Sequence, residues 1–464
     1  MKHIVYFILS AFFLLTVATS SYAMPAGNIK SAREVIEMLN KGQFKEIISR
    51  FDSTMKKAAP EPRLRAIWTS LIGQTGKLQT EIGDTSFDFN GYNIVIVTCR
   101  FEKSKLDVKV VFDKDSEIAG LFFAPHVETA NESGRSGASA SDSLRGAPYI
   151  SKDVTFENKK ANVTLAGTLT IPNSTGTFPA VLLIAGSGPN GRNETVAGHK
   201  IFLTVADYLT RHGIAVLRYD KRGIDKSTGN YASATTKDFA SDALAGVDYL
   251  MTVKQVDHKK IGLIGHSEGG EIAPIVADES PNVAFIVLMA GPGVPGYKII
   301  LSQVALIDKA AGVSDSAVHA SLTLERKLLD IVMTEKDSAE ASVTELLSPW
   351  YRDFFSYDPR PALRKVKCPV LALWGSKDLQ VSPSENMSAV RAALRSGGNK
   401  HFKVMEIKGL NHLFQDAKTG SPFEYGTIKE AISPKALRII TNWILKETRT
   451  KLFRHTSVGI KPEH

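Results

Sequence analysis

Ser267 sits at the centre of a Gly-x-Ser-x-Gly pentapeptide, Gly265-His266-Ser267-Glu268-Gly269. A β-branched, apolar run from Ile261 to Gly265 enters it, and a helix-compatible segment, Glu271 to Ala277, leaves it. Strand, sharp turn and helix are the setting in which this pentapeptide forms a nucleophile elbow. The tight turn strains the dihedrals of the central serine and leaves its hydroxyl exposed at the sheet edge. The chemistry open to such a serine is attack on a carbonyl carbon. A serine alone is a weak nucleophile, so it needs a base, and the base needs an orienting carboxylate.

Both follow along the chain. The apolar run Val370 to Trp374 leads into Gly375-Ser376-Lys377-Asp378, which puts the Asp378 carboxylate just past a strand's end. The plainer reading is a turn aspartate, since Gly-Ser-Lys-Asp is also good turn chemistry. Phe402 to Ile407 leads into Gly409-Leu410-Asn411-His412. His412 is the expected general base, taking the serine proton and returning it to the leaving group. Glu406 is a reserve acid, disfavoured by its place inside the strand. His266 is expected to pack or hydrogen-bond, because neighbouring side chains diverge at an elbow. His199 and His401 carry no special context.

Acyl transfer also needs donors for the oxyanion. The backbone N–H of Glu268, next to the nucleophile, is one candidate. The second is expected after the run Ala180 to Ile184, in Ala185-Gly186-Ser187-Gly188-Pro189. Either Ser187 or Gly188 could supply it, and a plain Gly-rich turn is the alternative. No GK[ST] follows, so this is not a phosphate loop. Asp220 and Arg222 are expected to organise a nearby loop rather than to react.

The elements that must position these residues alternate. Apolar runs at Val163–Ile171, Ala180–Ile184, Ile214–Tyr219, Ile261–Gly265, Ala284–Met289, Val370–Trp374 and Phe402–Ile407 read as strands. Helical segments at His199–His212, Thr236–Val253, Glu268–Ala277, Ser384–Arg395 and Pro434–Glu447 separate most of them. Such alternation predicts an α/β domain over 149–450, with a mostly parallel sheet covered on both faces. Ligands then sit at the carboxyl ends of the strands. Residues 294–362 interrupt the pattern with a helical insertion, read as a cap. Its aromatic residues include Trp350, Tyr351 and Phe354, taken as substrate-binding candidates, although they also suit packing of the cap onto the core.

Residues 25–125 read as a small α+β unit. Ser31–Asn40, Phe44–Lys56 and Arg63–Thr75 have helical periodicity, and Tyr92–Glu102, Lys105–Asp113 and Glu117–Ala124 alternate as strands. Residues 126–148, rich in Ser, Gly and Ala, read as a flexible linker. Residues 451–464 form a tail.

With these residues in hand, 150–450 resembles the α/β-hydrolase superfamily. It looks most like bacterial serine esterases grouped with serine aminopeptidase-like or lysophospholipase-like hydrolases. The matching segments are AGSGPNGRNE (185–194), YDKRGIDKS (219–227), GHSEGG (265–270), GSKD (375–378) and GLNHLFQ (409–415). The resemblance implies a triad of Ser267, Asp378 and His412, with an oxyanion hole near Ser187 and Glu268. Two departures stand out. Many relatives carry His-Gly where this chain has Ala185-Gly186, and often Gly where it has Asp225. The 25–125 unit resembles a small domain of unknown function that precedes such hydrolases in exported bacterial proteins.

Composition bounds the alternatives. The chain has 464 residues, 43% hydrophobic and 23% charged, as expected of a globular protein of two domains. The net charge of +9 is scattered, with no basic stripe interleaved with aromatics, which argues against nucleic-acid binding. Cys99 and Cys368 are expected to be unpaired, and no spacing suggests metal ligands. No metal or organic cofactor is implied. Lys2 and His3, an apolar run from Ile4 to Val17, and Ser21-Tyr22-Ala23 read as a signal peptide over 1–23. Export to the periplasm or medium, without stable membrane insertion, is the expectation.

The expected activity is hydrolysis of small acyl esters. A first rival is a peptidase using the same machinery, with Glu325 or Asp353 anchoring a substrate amine. A second is a non-catalytic envelope-binding protein on a hydrolase scaffold.

Overall fold

The computed structural model describes residues 26–89, 92–126, 147–310, 312, 315–334 and 349–449. The signal peptide, most of the linker and the tail read from the sequence lie outside these residues.

The N-terminal unit begins with helices α1 (Ala26–Lys41), α2 (Phe44–Ser49), α3 (Ser53–Ala58) and α4 (Glu61–Thr75). An antiparallel sheet follows, β1 (Leu78–Phe89), β2 (Tyr92–Phe101), β3 (Lys105–Phe112) and β4 (Ile118–Pro125), in the order β1-β2-β3-β4. Side chains alternate across a strand. Val95, Val97, Cys99 and Phe101 of β2 therefore share one face with Leu106, Val108, Val110 and Phe112 of β3. That face packs on Val35, Leu39, Ile47, Leu64 and Leu71 of the helices.

In this unit one expectation needs correction and one strand went unread. Phe44 to Lys56 is not one helix, because the chain breaks at Phe51, which is fully buried and bridges to Ile118. There the Ile118 N–H donates to the Arg50 carbonyl at 2.7 Å, and the Asp52 N–H donates to the Ile118 carbonyl at 3.0 Å. Pairing with β4 thus wins over helix continuation. The strand β1 went unread because it is a polar, largely exposed edge with little hydrophobic pattern to read.

The larger unit opens with β5 (Tyr149–Asn158), β6 (Val163–Pro172) and β7 (Phe178–Ile184). A short hairpin, β8 (Thr195–Val196) and β9 (His199–Lys200), precedes α5 (Ile201–Arg211). Then come β10 (Ala215–Tyr219), α6 (Thr236–Leu250), β11 (Val256–His266), α7 (Glu268–Glu279) and β12 (Val283–Met289). The insertion supplies α8 (Gly296–Ala310), α9 (Asp315–Thr334), α10 (Pro349–Ser356) and α11 (Arg360–Lys365). The chain closes with β13 (Val370–Gly375), α12 (Pro383–Ser396), β14 (Phe402–Ile407), a 3₁₀ turn over Pro422–Thr427 and α13 (Pro434–Thr448).

The eight-stranded sheet runs β14-β13-β12-β11-β7-β10-β6-β5. From β14 to β10 all pairings are parallel, and β6 is antiparallel to both β10 and β5. The parallel strands β10 and β13 are buried throughout, which is why their sequences run apolar without alternation. β5 is a half-exposed antiparallel edge, absent from the apolar runs for the same reason as β1. His199 and Lys200 lie in β9 rather than in the helix expected to start there.

Register positions the site. Ile184 of β7 pairs with Gly265 of β11, so the loop from Ala185 starts level with the elbow. Gly375 of β13 pairs with Ile407 of β14, so the segments carrying Asp378 and His412 leave the same rim.

Among the described residues the two units touch through several contacts. Phe423, on the 3₁₀ turn, is buried in the N-terminal core. Arg63 of α4 hydrogen-bonds Ser321 of α9 and lies 3.8 Å from Asp308 of α8. The outward face of the N-terminal sheet, through Tyr92, Val111, Ala119 and Phe122, packs on Leu329, Tyr351, Phe354 and Phe355.

Candidate active site

Ser267 joins β11 to α7 with φ 52° and ψ −117°, a region that L-residues rarely occupy. The surroundings over-determine this conformation. The Ser267 N–H donates to the Met289 carbonyl and the Gly270 N–H to the Ser267 carbonyl, both at 2.8 Å. A Cβ on Gly269 would stand 1.9 Å from the Ile184 carbonyl oxygen, and one on Gly265 1.9 Å from that of Gly269. Only glycine at both positions lets helix, turn and strand close so tightly.

His412 and Asp378 meet at the same rim. His412 Nδ1 donates to Asp378 Oδ2 at 2.9 Å, and both side chains are buried. The other carboxylate oxygen accepts from the N–H groups of Gln380 at 2.9 Å and Val381 at 2.8 Å. Asp378 is therefore locked by its own loop and fixes the His412 ring through Nδ1. Ser267 and His412 line one cavity. Glu406 is exposed on β14 and takes no part in this cluster.

The oxyanion candidates separate. The Gly186 N–H donates to Glu194 Oε1 at 2.6 Å. Gly188 has φ 96° and is not among the residues lining the cavity. Ser187 lies between them and, with Glu268, lines the cavity. Asn190 Nδ2 fastens the loop by donating to the Gly186 and Ser187 carbonyls at 2.9 and 2.8 Å.

Four supporting residues escaped the sequence reading: Glu194, Lys221, the Glu268 side chain and Tyr425. Lys221 Nζ donates to the Gly186 carbonyl at 2.7 Å and to Glu268 Oε2 at 3.1 Å, tying the loop to the elbow. Glu268 Oε1 accepts from Thr236 Oγ1 at 2.8 Å and from Trp350 Nε1 at 2.6 Å. The Tyr425 hydroxyl accepts from Gln380 Nε2 at 2.8 Å, behind Asp378. In the sequence Glu194, Lys221 and Glu268 read as ordinary loop charges, and nothing local marks Tyr425.

His266 bonds as expected, and more extensively. Its Nδ1 lies 2.9 Å from Glu194 Oε1 and its Nε2 3.0 Å from the His412 carbonyl oxygen. Both partners are acceptors, so the cationic ring satisfies them best. Burial pushes the His266 pKa down, but the Glu194 charge, its hydrogen bond and the His412 carbonyl outweigh burial and raise it.

Asp220 and Arg222 organise loops. Arg192 grips Asp220 through Nε at 2.9 Å and Nη2 at 2.6 Å, and Arg222 grips Asp242 through Nε at 2.7 Å and Nη2 at 2.8 Å. Asp225 has φ 48°, the left-handed conformation that glycine fits best.

The cavity at Ser267 has a volume of about 80 Å³ and takes Trp350, Tyr351 and Phe354 as cap-side walls. Trp350 and Phe354 stack at 5.0 Å. Neither Glu325 nor Asp353 is among its lining residues. Among the described residues, no three His, Cys, Asp or Glu side chains converge as metal ligands would.

Residues 190–347 match the model of a family described as serine aminopeptidase, S33. The larger unit has an α/β fold, a mostly parallel sheet flanked by helices, and the match falls within it. Residues 32–121, ahead of that unit, match a family described as protein of unknown function. Among characterised proteins the chain is similar to esterase EstD of Thermotoga maritima, 26% identical over 412 residues, 89% of this chain and 94% of that protein. That alignment is longer than the larger unit, so it reaches into the N-terminal one. Among solved structures, an esterase of Pyrococcus furiosus aligns with a TM-score of 0.45 at 16% identity, over 67% of this chain and 95% of that one. Est1E of Butyrivibrio proteoclasticus with ferulic acid bound aligns at 0.39 and 17%, over 63% and 96%.

A second cavity, of about 330 Å³, opens between the larger unit and the N-terminal sheet, between Lys103 and Lys105 on one side and Ala197 and Pro422 on the other. It is larger than the Ser267 cavity and contains none of the residues named for chemistry.

Proposed function

We propose that this hydrolase is an exported serine esterase acting on small acyl esters. The observation that carries the reading is the His412–Asp378 hydrogen bond beside the cavity that Ser267 lines. In this reading His412 Nε2 takes the Ser267 proton as Oγ attacks the ester carbonyl. The N–H groups of Ser187 and Glu268 receive the charge that develops on the carbonyl oxygen. The tetrahedral intermediate collapses, His412 returns the proton to the departing alkoxide, and the acyl group stays on Ser267. Water, deprotonated by His412, then releases the acid. Asp378 fixes the ring orientation and stabilises its cationic form.

The narrow, aromatic-walled cavity supports small acyl groups. The similarity to an esterase along most of the chain supports esters over amides. The family described as serine aminopeptidase keeps the amide reading as a rival, but the two carboxylates considered as amine anchors stand outside the cavity lining.

A panel of 4-nitrophenyl esters and aminoacyl anilides tests the reading, with fluorophosphonate labelling alongside. Ester turnover and labelling that both disappear in Ser267→Ala are expected. Anilide turnover without ester turnover would overturn the ester reading. Equal labelling of wild type and Ser267→Ala would return the protein to a binding role. Export predicts a mature chain beginning near Met24, which N-terminal sequencing of the secreted protein checks.

A further inference from the structure

We propose that the N-terminal unit determines specificity: its sheet braces α10 against the Ser267 cavity and so limits the acyl groups admitted. The inference rests on the esterase reading above.

The argument begins with strand parity. On β2, β3 and β4 one face points to the helices and fills the N-terminal core. The other face ought to meet water in a free-standing unit of this kind. Instead Tyr92, Val111, Ala119 and Phe122 from that face pack into a cluster with the cap, and Ala119 is fully buried. Their partners there include Tyr351 and Phe354, which also wall the Ser267 cavity. One layer of aromatic rings therefore separates the N-terminal sheet from the space the acyl group would fill.

The cap is held from both directions. On the cavity side, Trp350 donates to Glu268 beside the nucleophile. On the far side, Arg63 joins Ser321 and Asp308, on the cap helices that pack with α10. Phe423 fixes the same N-terminal unit to the body of the hydrolase, two residues from Tyr425 in the Asp378 loop network. The unit thus spans cap and body, and a brace attached at both ends sets how far one can swing from the other. A close-packed interface of this kind transmits a change of volume instead of absorbing it.

The test compares kcat/KM for 4-nitrophenyl octanoate with that for the acetate in the full-length protein. Phe122→Ala, which leaves a void behind Tyr351 and Phe354, should raise the octanoate-to-acetate ratio about tenfold. Arg63→Gln, which releases the cap at a separate contact, should move it the same way. Leu71→Ala, buried in the N-terminal core away from the cap, controls for lost stability and should leave the ratio within twofold of wild type. If Phe122→Ala does not fold, Phe122→Leu takes the same measurement. Ratios unchanged in folded variants, or raised equally by Leu71→Ala, would overturn the brace. A wild type that turns over neither ester would instead defeat the esterase reading beneath it.

Discussion

The indole nitrogen of Trp350 donates to Glu268 Oε1 at 2.6 Å, so the cap is bonded to the residue that follows Ser267. Glu268 in turn receives Lys221, which also holds the Gly186 carbonyl. One buried carboxylate therefore joins the 349–356 helix, the turn at Ser267 and the loop that follows β7. Trp350→Phe keeps the stacked ring and removes only the donor. A hydrogen bond to a charged group contributes about 1.5–3 kcal/mol, so kcat/KM for short esters is expected to fall roughly tenfold or more. Steady-state kinetics check this, and an unchanged value would mean that the bond does not position the site.

Strain at Ser267 predicts a trade between stability and activity. A residue held in a sparsely populated φ/ψ region costs about 1–3 kcal/mol. Glycine relieves most of that and loses about 0.5–1 kcal/mol through its freer unfolded chain. Ser267→Gly is expected to be inactive yet more stable by on the order of 1 kcal/mol. Ser267→Ala, equally inactive, keeps the strain and gains little. Calorimetry of the two variants side by side decides it.

The Glu194–His266 pair gives a pH-dependent stability. The folded pKa of His266 is raised above its ordinary 6.5. Its contribution is therefore full below the unfolded value and lost as pH rises through the folded value. Glu194→Gln removes the charge that holds the proton. Urea titrations at pH about 5.5 and about 9 should show wild type exceeding the variant by more at the lower pH. An equal gap at both would rule out a cationic His266.

Glu325 supplies the opposite kind of test, a group that weakens the fold once charged. Burial pushes its carboxyl from 4.5 up to about 7, and one of its oxygens has no hydrogen-bond partner. Its contribution is present below the unfolded value and lost as pH rises through about 7. At about 1.4 kcal/mol per unit, wild type should lose up to about 3 kcal/mol over that window. Glu325→Gln should flatten the loss, as denaturant midpoints across the window would register.

The parallel strands β11 and β13 were legible because burial on both faces leaves uninterrupted apolar runs, and Ser267 and Asp378 each follow such a run; His412 follows β14, a part-exposed edge strand whose apolar pattern is interrupted by Lys403 and Glu406. The edges β1 and β5 were not legible, since their exposed faces carry polar residues. Glu194 and Lys221 look like ordinary loop charges. They become buried only when the 186–194 and 219–228 segments fold against the elbow, a tertiary event with no local signature. The contact between the units was hidden in another way. Tyr92, Val111 and Phe122 occupy positions that strand alternation assigns to solvent, and only the arrival of the cap makes them interior.

Phe423 belongs to the larger unit by connectivity and to the N-terminal core by packing. Cutting the chain between residues 126 and 148 would leave one piece with a hole where a ring had been and the other with a bare ring in water. The segment that divides the two units in sequence is thus not a seam in the cooperative structure. Heat should take both apart in a single transition, and a chimera spliced there would inherit a mismatched plug and socket unless its residues 422–427 came from the donor of the N-terminal half.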